Sequence, residues 1–139
     1  MDALTTTHLL LICLWGGVVL AEVILERLFG SEEASLPQLA RAHYWIDVLV
    51  ELPLLLGVIA SGGWLLIRTW PPSLLLSLKI GLASIGLLSN LVCVVYVIQR
   101  HRRRRDPEAV RALTRAVELT GLGIPFALGA AYLGLAYFH

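Results

Sequence analysis

The sequence predicts an all-α integral membrane protein, in which a single domain (residues 1–139) forms a bundle of four transmembrane helices. Of the 139 residues, 58% are hydrophobic and 15% are charged. Soluble domains carry roughly 45–50% apolar and about 25% charged residues. The apolar residues fall into four long runs, and each run is long enough for the ~20-residue helix that crosses a bilayer. Four such spans with short connections account for nearly the whole chain.

The predicted spans cover about residues 6–29, 41–67, 73–99 and 109–137. The first ends at Gly30, a residue type that commonly follows a helix C-terminus. The second contains Pro53, which membrane helices tolerate when neighbouring groups satisfy the freed carbonyl. Trp70-Pro71-Pro72 predicts the turn before the third span, and the basic segment 101–107 separates the third span from the fourth.

The positions of the arginines predict the orientation in the membrane. Arg27, Arg41 and the run Arg100–Arg105 fall on one side of the predicted bundle. Because cytoplasmic loops carry the excess of Lys and Arg, we expect this side in the cytoplasm and both termini outside. The run Arg100–Arg105 is expected to attract anionic lipid, and no nucleic-acid partner is expected.

Buried carboxylates are the main functional candidates, because they are costly inside a membrane unless they are paired, protonated or bound. Residues spaced four apart share one face of a helix, and at 1.5 Å per residue Glu51 lies ~12 Å deeper than His43. The first helix descends toward the cytoplasm while the second climbs away from it, so their acidic residues reach similar depths. The fourth helix also starts on the cytoplasmic side. One layer near that side is therefore predicted to contain Glu22, Glu26, His43, Asp47, Glu51, Arg115 and Glu118.

This layer admits three interpretations. Carboxylates with one imidazole suit iron, manganese or zinc better than Cu(I), and helical bundles commonly build metal sites from facing side chains. A network of salt bridges with Arg27, Arg41 and Arg115 would explain the same residues without a metal. A path for protons or ions is the third interpretation, since intramembrane carboxylates are frequent there too.

A second polar layer is predicted near the outer side, with His8 in the first helix and Lys79 in the third. An intramembrane imidazole can be an axial haem ligand, and a lysine can pair with a propionate. The alternative is that His8 is solvated at the membrane interface and that Lys79 extends its ammonium group outward to water.

Short motifs in the first three predicted helices carry a family resemblance. In chain order they are His8, Trp15-Gly16-Gly17, Arg27-Leu28-Phe29, Pro53, Gly62-Gly63-Trp64 and Leu78-Lys79-Ile80. This order resembles the small four-helix membrane proteins of the bacterial protoporphyrinogen oxidase and copper-resistance D type. The resemblance implies a haem-associated pair at His8 and Lys79, a membrane oxidoreductase activity and a place in the bacterial inner membrane.

Three functional classes therefore remain open from the sequence. The first is a redox-related protein that binds haem or a metal ion within the bundle. The second is a protein that handles protons or ions, as a monomer or a homo-oligomer. The third is a non-catalytic subunit of a larger membrane complex, in which the polar layer only determines helix packing. The sequence contains no phosphate-binding loop, no Cys-x-x-Cys and no nucleophile elbow that would indicate another chemistry.

Overall fold

The computed structural model describes residues 2–32 and 34–137, and the secondary-structure elements in these ranges are all helical. Two of the long helices contain a local change of winding. A π-helical turn (Asp47–Glu51) interrupts the second long helix, and a 3₁₀ turn (Gly121–Gly123) interrupts the fourth. The helices are α1 (Ala3–Phe29), α2 (Leu36–Ile46), α3 (Leu52–Arg68), α4 (Leu74–Arg102), α5 (Pro107–Thr120) and α6 (Ile124–Tyr137).

Four continuous helices in the described ranges are long and apolar enough to cross a membrane: Ala3–Phe29, Leu36–Arg68, Leu74–Arg102 and Pro107–Tyr137. The all-helical fold with four such helices is confirmed. The second helix begins earlier than the predicted start near residue 41. Pro37 is accommodated in its first turn, where the missing amide costs no hydrogen bond, and Leu36 and Leu39 are buried there against Val110.

The side chains just before three helices satisfy amide groups that have no partner within the helix. Asp2 accepts from the Thr5 amide at 2.8 Å, and Ser73 accepts from the Leu76 amide at 3.2 Å. Asp106 caps α5 by accepting from two amides, each at 3.2 Å. Asp2 also pairs with Arg68 at 3.0 Å, which ties the start of α1 to the end of α3.

The helices pack as two hairpins. In one hairpin α1 lies against α3, and in the other α4 lies against α6. The hairpins meet mainly where α2 packs on α4 and α5, at the end of the bundle that carries the run 100–105, here called the arginine-loop end. Many large apolar side chains face outward along the helices, as expected for surfaces that contact lipid.

Candidate metal centre

The π turn lies at the centre of the buried polar layer. In an α-helix the amide of residue 53 would bond to the carbonyl of Leu49, but Pro53 has no N–H. The amide of Leu52 bonds instead to the carbonyl of Asp47, five residues earlier. Such single π turns are rare and frequently occur at functional sites. Both acidic residues of the turn, Asp47 and Glu51, are almost completely buried.

Glu22 of α1, His43 of α2 and Asp47 of the π turn form one compact group, here called the Glu22–His43–Asp47 group. One ligand atom from each residue lies within 4.8 Å of the other two. His43 Nε2 is 3.3 Å from Asp47 Oδ1 and 3.8 Å from Glu22 Oε2. The exposed fractions of the three residues are 6%, 3% and 0%, respectively, so water has little access to them.

When both carboxylates are ionised, and so can only accept, four ligand atoms of this group have no hydrogen-bond partner among the described residues. They are Glu22 Oε1, His43 Nε2, Asp47 Oδ1 and Asp47 Oδ2. Buried polar atoms are nearly always hydrogen-bonded, and leaving one unsatisfied costs about 1–3 kcal/mol. Two carboxylates and one imidazole supply a donor set that binds divalent metal ions in proteins, so the residues fit a metal ion.

Glu26 and Arg100 hold the other nitrogen of the histidine. Glu26 Oε1 lies 2.5 Å from both His43 Nδ1 and Arg100 Nη2, and Arg100 Nη1 donates to Glu26 Oε2 at 3.0 Å. Arg100 Nη2, which only donates, is also 2.9 Å from Nδ1. The Glu26 carboxylate is nearer and only accepts, so we assign the imidazole proton to Nδ1. His43 Nε2 then presents its lone pair to the Glu22–His43–Asp47 group, as in metal sites where a carboxylate orients the histidine.

Glu51 is held separately by side chains from two other helices. Its Oε1 accepts from Trp15 Nε1 at 3.1 Å and from Asn90 Nδ2 at 2.6 Å. The side-chain oxygen of Asn90, Oδ1, is buried and has no hydrogen-bond partner among the described residues. Glu51 therefore lies beyond Asp47 along the helix, in a second polar contact between α1, the π turn and α4.

Arg100 corrects one expectation from the sequence. It was expected in a loop on anionic lipid, but it is fully buried and also donates to Thr114 Oγ1 at 3.2 Å. The physical reason is that α4 continues to Arg102, which brings position 100 onto the buried face of Val94 and Val97. This spacing of three residues is the signal that could have revealed it. The arginines of the predicted salt-bridge network, Arg27, Arg41 and Arg115, are exposed.

The remaining predicted residues lie apart from the group. Glu118 is exposed on α5. His8 is buried in the α1–α3 interface, where its Nδ1 is 2.8 Å from Ser61 Oγ and its ring packs against Gly62. Lys79 of α4 lies against Gly134 of α6. The structure thus places His8 and Lys79 in different hairpins, and their joint role toward haem stays a prediction.

No model of a known protein family, no curated protein and no solved structure matches this chain significantly. The resemblance to the protoporphyrinogen oxidase and copper-resistance D type therefore stays a prediction, and the side-chain geometry is the basis for assigning a function.

Proposed function

We propose that this protein is an integral membrane four-helix bundle that binds one divalent transition-metal ion through Glu22, His43 and Asp47. The observation that carries the proposal is the convergence of buried ligand atoms that, with both carboxylates ionised, have no hydrogen-bond donor among the described residues. These atoms come from two consecutive helices, α1 and the helix that contains α2 and the π turn, and they converge because the two helices pack against each other.

Charge balance supports a divalent ion. The Glu26 carboxylate is neutralised by the Arg100 guanidinium through two hydrogen bonds. The ion-pair contacts of Glu22 and Asp47 are with the His43 imidazole rather than with an arginine. Two buried like charges are unfavourable in a medium of low dielectric constant. One divalent cation would neutralise both carboxylates. Iron, manganese and zinc are the metals that this donor set suits best.

The donor set also indicates a class of chemistry. Three protein ligands leave coordination positions for water or a small molecule, as in catalytic rather than structural metal sites. Iron or manganese would supply one-electron chemistry, and zinc would supply a Lewis acid. A redox role, with membrane oxidoreductase as the activity class, is the function we favour. In that role Glu26 orients His43, and Arg100 holds Glu26 through two hydrogen bonds.

The proposal includes insertion in a bacterial inner membrane with both termini outside. The four apolar helices support insertion in a membrane, and the one-sided arginines support the orientation. Of the arginine run, Arg102, Arg103, Arg104 and Arg105 are exposed, so these four are the ones proposed to contact anionic lipid.

Elemental analysis and a visible spectrum of one detergent-purified sample test the proposed site. We expect about one metal ion per chain. Asp47→Asn and Glu22→Gln should each lose most of it, because each removes a charged ligand and leaves the side-chain volume unchanged. Glu118→Gln, which makes the same chemical change at an exposed position, is the matched control and should keep the metal. Glu26→Gln should weaken binding about 10–100-fold through the orientation of His43.

The same sample separates the alternatives. Full metal content in both Asp47→Asn and Glu22→Gln would refute the site. A Soret band that disappears in His8→Ala and persists in Asp47→Asn would support the haem interpretation instead. A sample with neither haem nor metal would leave a packing network or a charge relay, and co-purifying subunits would favour an accessory role.

A further inference from the structure

A buried metal site needs a route by which the ion enters, and the two ends of the bundle differ in this respect. At the arginine-loop end, the Arg100 guanidinium lies directly behind Glu26 and His43 and is fully buried. A cation that approached from this end would meet a buried positive charge. It would also have to pass the apolar cluster of Leu36, Leu39 and Val110.

In the other direction, polar side chains continue beyond the site. On α1, Glu22, Trp15 and His8 are spaced seven residues apart, so they lie along one face at intervals of two helical turns, or about 10.5 Å. Trp15 contacts Glu51, and His8 contacts Ser61. Beyond Asp47 lie the contacting side chains of Glu51 and Asn90. The side-chain oxygen of Asn90, Oδ1, has no hydrogen-bond partner among the described residues. A carboxylate and an amide carbonyl are suitable transient ligands for a divalent cation.

One apolar contact interrupts this polar face. Leu11 of α1 lies against Gly57 of α3, between the Trp15–Glu51 contact and the His8–Ser61 contact. The packing there is close, because a Cβ atom added at Gly57 would lie only 3.1 Å from Leu11 Cδ1. Shortening the leucine would widen this contact, and adding a methyl group at the glycine would narrow it.

We propose that the divalent ion enters and leaves the Glu22–His43–Asp47 group along this face, past Glu51 and Asn90. The barrier on this route is the Leu11–Gly57 contact, and the route opens at the end where α1 begins and α3 ends. The route rests on the proposed metal site, because a protein without that site has no ion to admit.

Stopped-flow loading of purified protein with Co²⁺ alone, followed by release to a chelator, tests the route. Leu11→Ala should speed loading and release by about tenfold each, and Gly57→Ala should slow both by about tenfold; a tenfold change corresponds to ~1.4 kcal/mol in the barrier. The equilibrium affinity should stay unchanged in both variants, because a barrier affects the two rates equally. The double variant should return near the rates of the unmodified protein. Glu51→Gln should slow both rates while the Co²⁺ spectrum of the loaded site is retained.

The chain offers matched controls for both substitutions. Leu10 is the neighbour of Leu11 but is 59% exposed, so Leu10→Ala removes the same atoms outside the route. Gly63 lies on the same helix as Gly57, and a Cβ atom there would meet no neighbour within 4 Å. Leu10→Ala and Gly63→Ala should load at the rate of the unmodified protein.

Each contrary result has a distinct meaning. Equal loading rates in all the variants would overturn the route while the metal site stands. An effect of Leu10→Ala as large as that of Leu11→Ala would also overturn it, because general loosening would explain both. Faster loading in Val110→Ala but not in Leu11→Ala would assign entry to the arginine-loop end. If the unmodified protein binds no Co²⁺, the metal site and the route both fail.

Discussion

At the scale of single residues, Arg100 organises the polar layer. It is the buried counter-charge of Glu26, and both groups contact Nδ1 of His43, which leaves Nε2 facing the candidate site. A buried ion pair adds little net stability when it is complete, because removing two charges from water is costly. Breaking it is different, since the remaining charge stays buried without compensation. The contribution of Arg100 is therefore visible only when Arg100 alone is removed.

We expect Arg100→Gln to lower the free energy of unfolding by about 3–5 kcal/mol, because it leaves Glu26 without its positive partner. Thermal denaturation in detergent measures this loss. Arg105→Gln is the control, since Arg105 is exposed in the same basic run. Replacing both partners, as in Arg100→Met with Glu26→Leu, should recover most of the stability. Equal melting temperatures for Arg100→Gln and Arg105→Gln would contradict the ion-pair account.

At the scale of elements, small residues determine how closely the helices of each hairpin approach. Gly86 of α4 faces Ala127 of α6, where a Cβ atom added to the glycine would lie 2.9 Å from the Cβ of Ala127 and 3.1 Å from its backbone nitrogen. Helices in membranes use such positions because lipid chains are as apolar as leucine, so association depends on close packing and hydrogen bonds. The α4–α6 contact therefore depends on the missing side chain at position 86.

Gly86→Ala should lower the free energy of unfolding by about 1–3 kcal/mol, because the added methyl group meets the backbone of α6 and forces the helices apart. The melting temperature in detergent reports the change. Gly81→Ala on the same helix is the matched control, because a Cβ atom there has no neighbour within 4 Å. A melting temperature for Gly86→Ala at or above that of Gly81→Ala would show that α4 and α6 do not pack in this way.

At the scale of the whole molecule, the two hairpins are joined at one end. α2 contacts α4 and α5 there, and the Arg100–Glu26 pair links the hairpins in the same region. The exposed arginines 102–105 lie at this end too. If the four helices cross a membrane, the joined end lies on the side where the arginines are, which the distribution of charge predicts to be the cytoplasm.

Reporter fusions test this orientation. Alkaline phosphatase fused after residue 137 should be active, since it works only outside the cytoplasm, and the same enzyme inserted after Arg103 should be inactive. Changing Arg102–Arg105 to glutamine should reduce the bias, because the flanking positive charges determine the orientation. The quadruple variant leaves Arg100 unchanged, so the buried ion pair is preserved and serves as the internal control. If the unmodified chain gave an inactive fusion after residue 137 and an active insertion after Arg103, the proposed orientation would be wrong.

The sequence by itself determined the four helices and the buried acidic residues of the first two, but not the exposure of Glu118 or the burial of Arg100. The four helices and those buried acids follow from local information, because a run of apolar residues identifies a helix long enough to cross a membrane, and an acidic residue within such a run is conspicuous. The short polar segments likewise predicted antiparallel neighbours with α1 beside the second helix. The predicted starts and ends of the helices were less accurate. Leu36 and Arg100 lie inside helices although they were predicted outside them, and both make buried contacts that the sequence does not show.

Only the tertiary structure decided which of the polar residues meet. Glu22 and Asp47 converge on His43, while Glu26 pairs with Arg100 and Glu51 binds Trp15 and Asn90. The sequence placed all these acids in one layer, because depth depends on residue number alone. Their partners depend on how each helix is rotated about its axis and on the extra residue in the π turn. These quantities are determined by packing between helices that are distant in the chain.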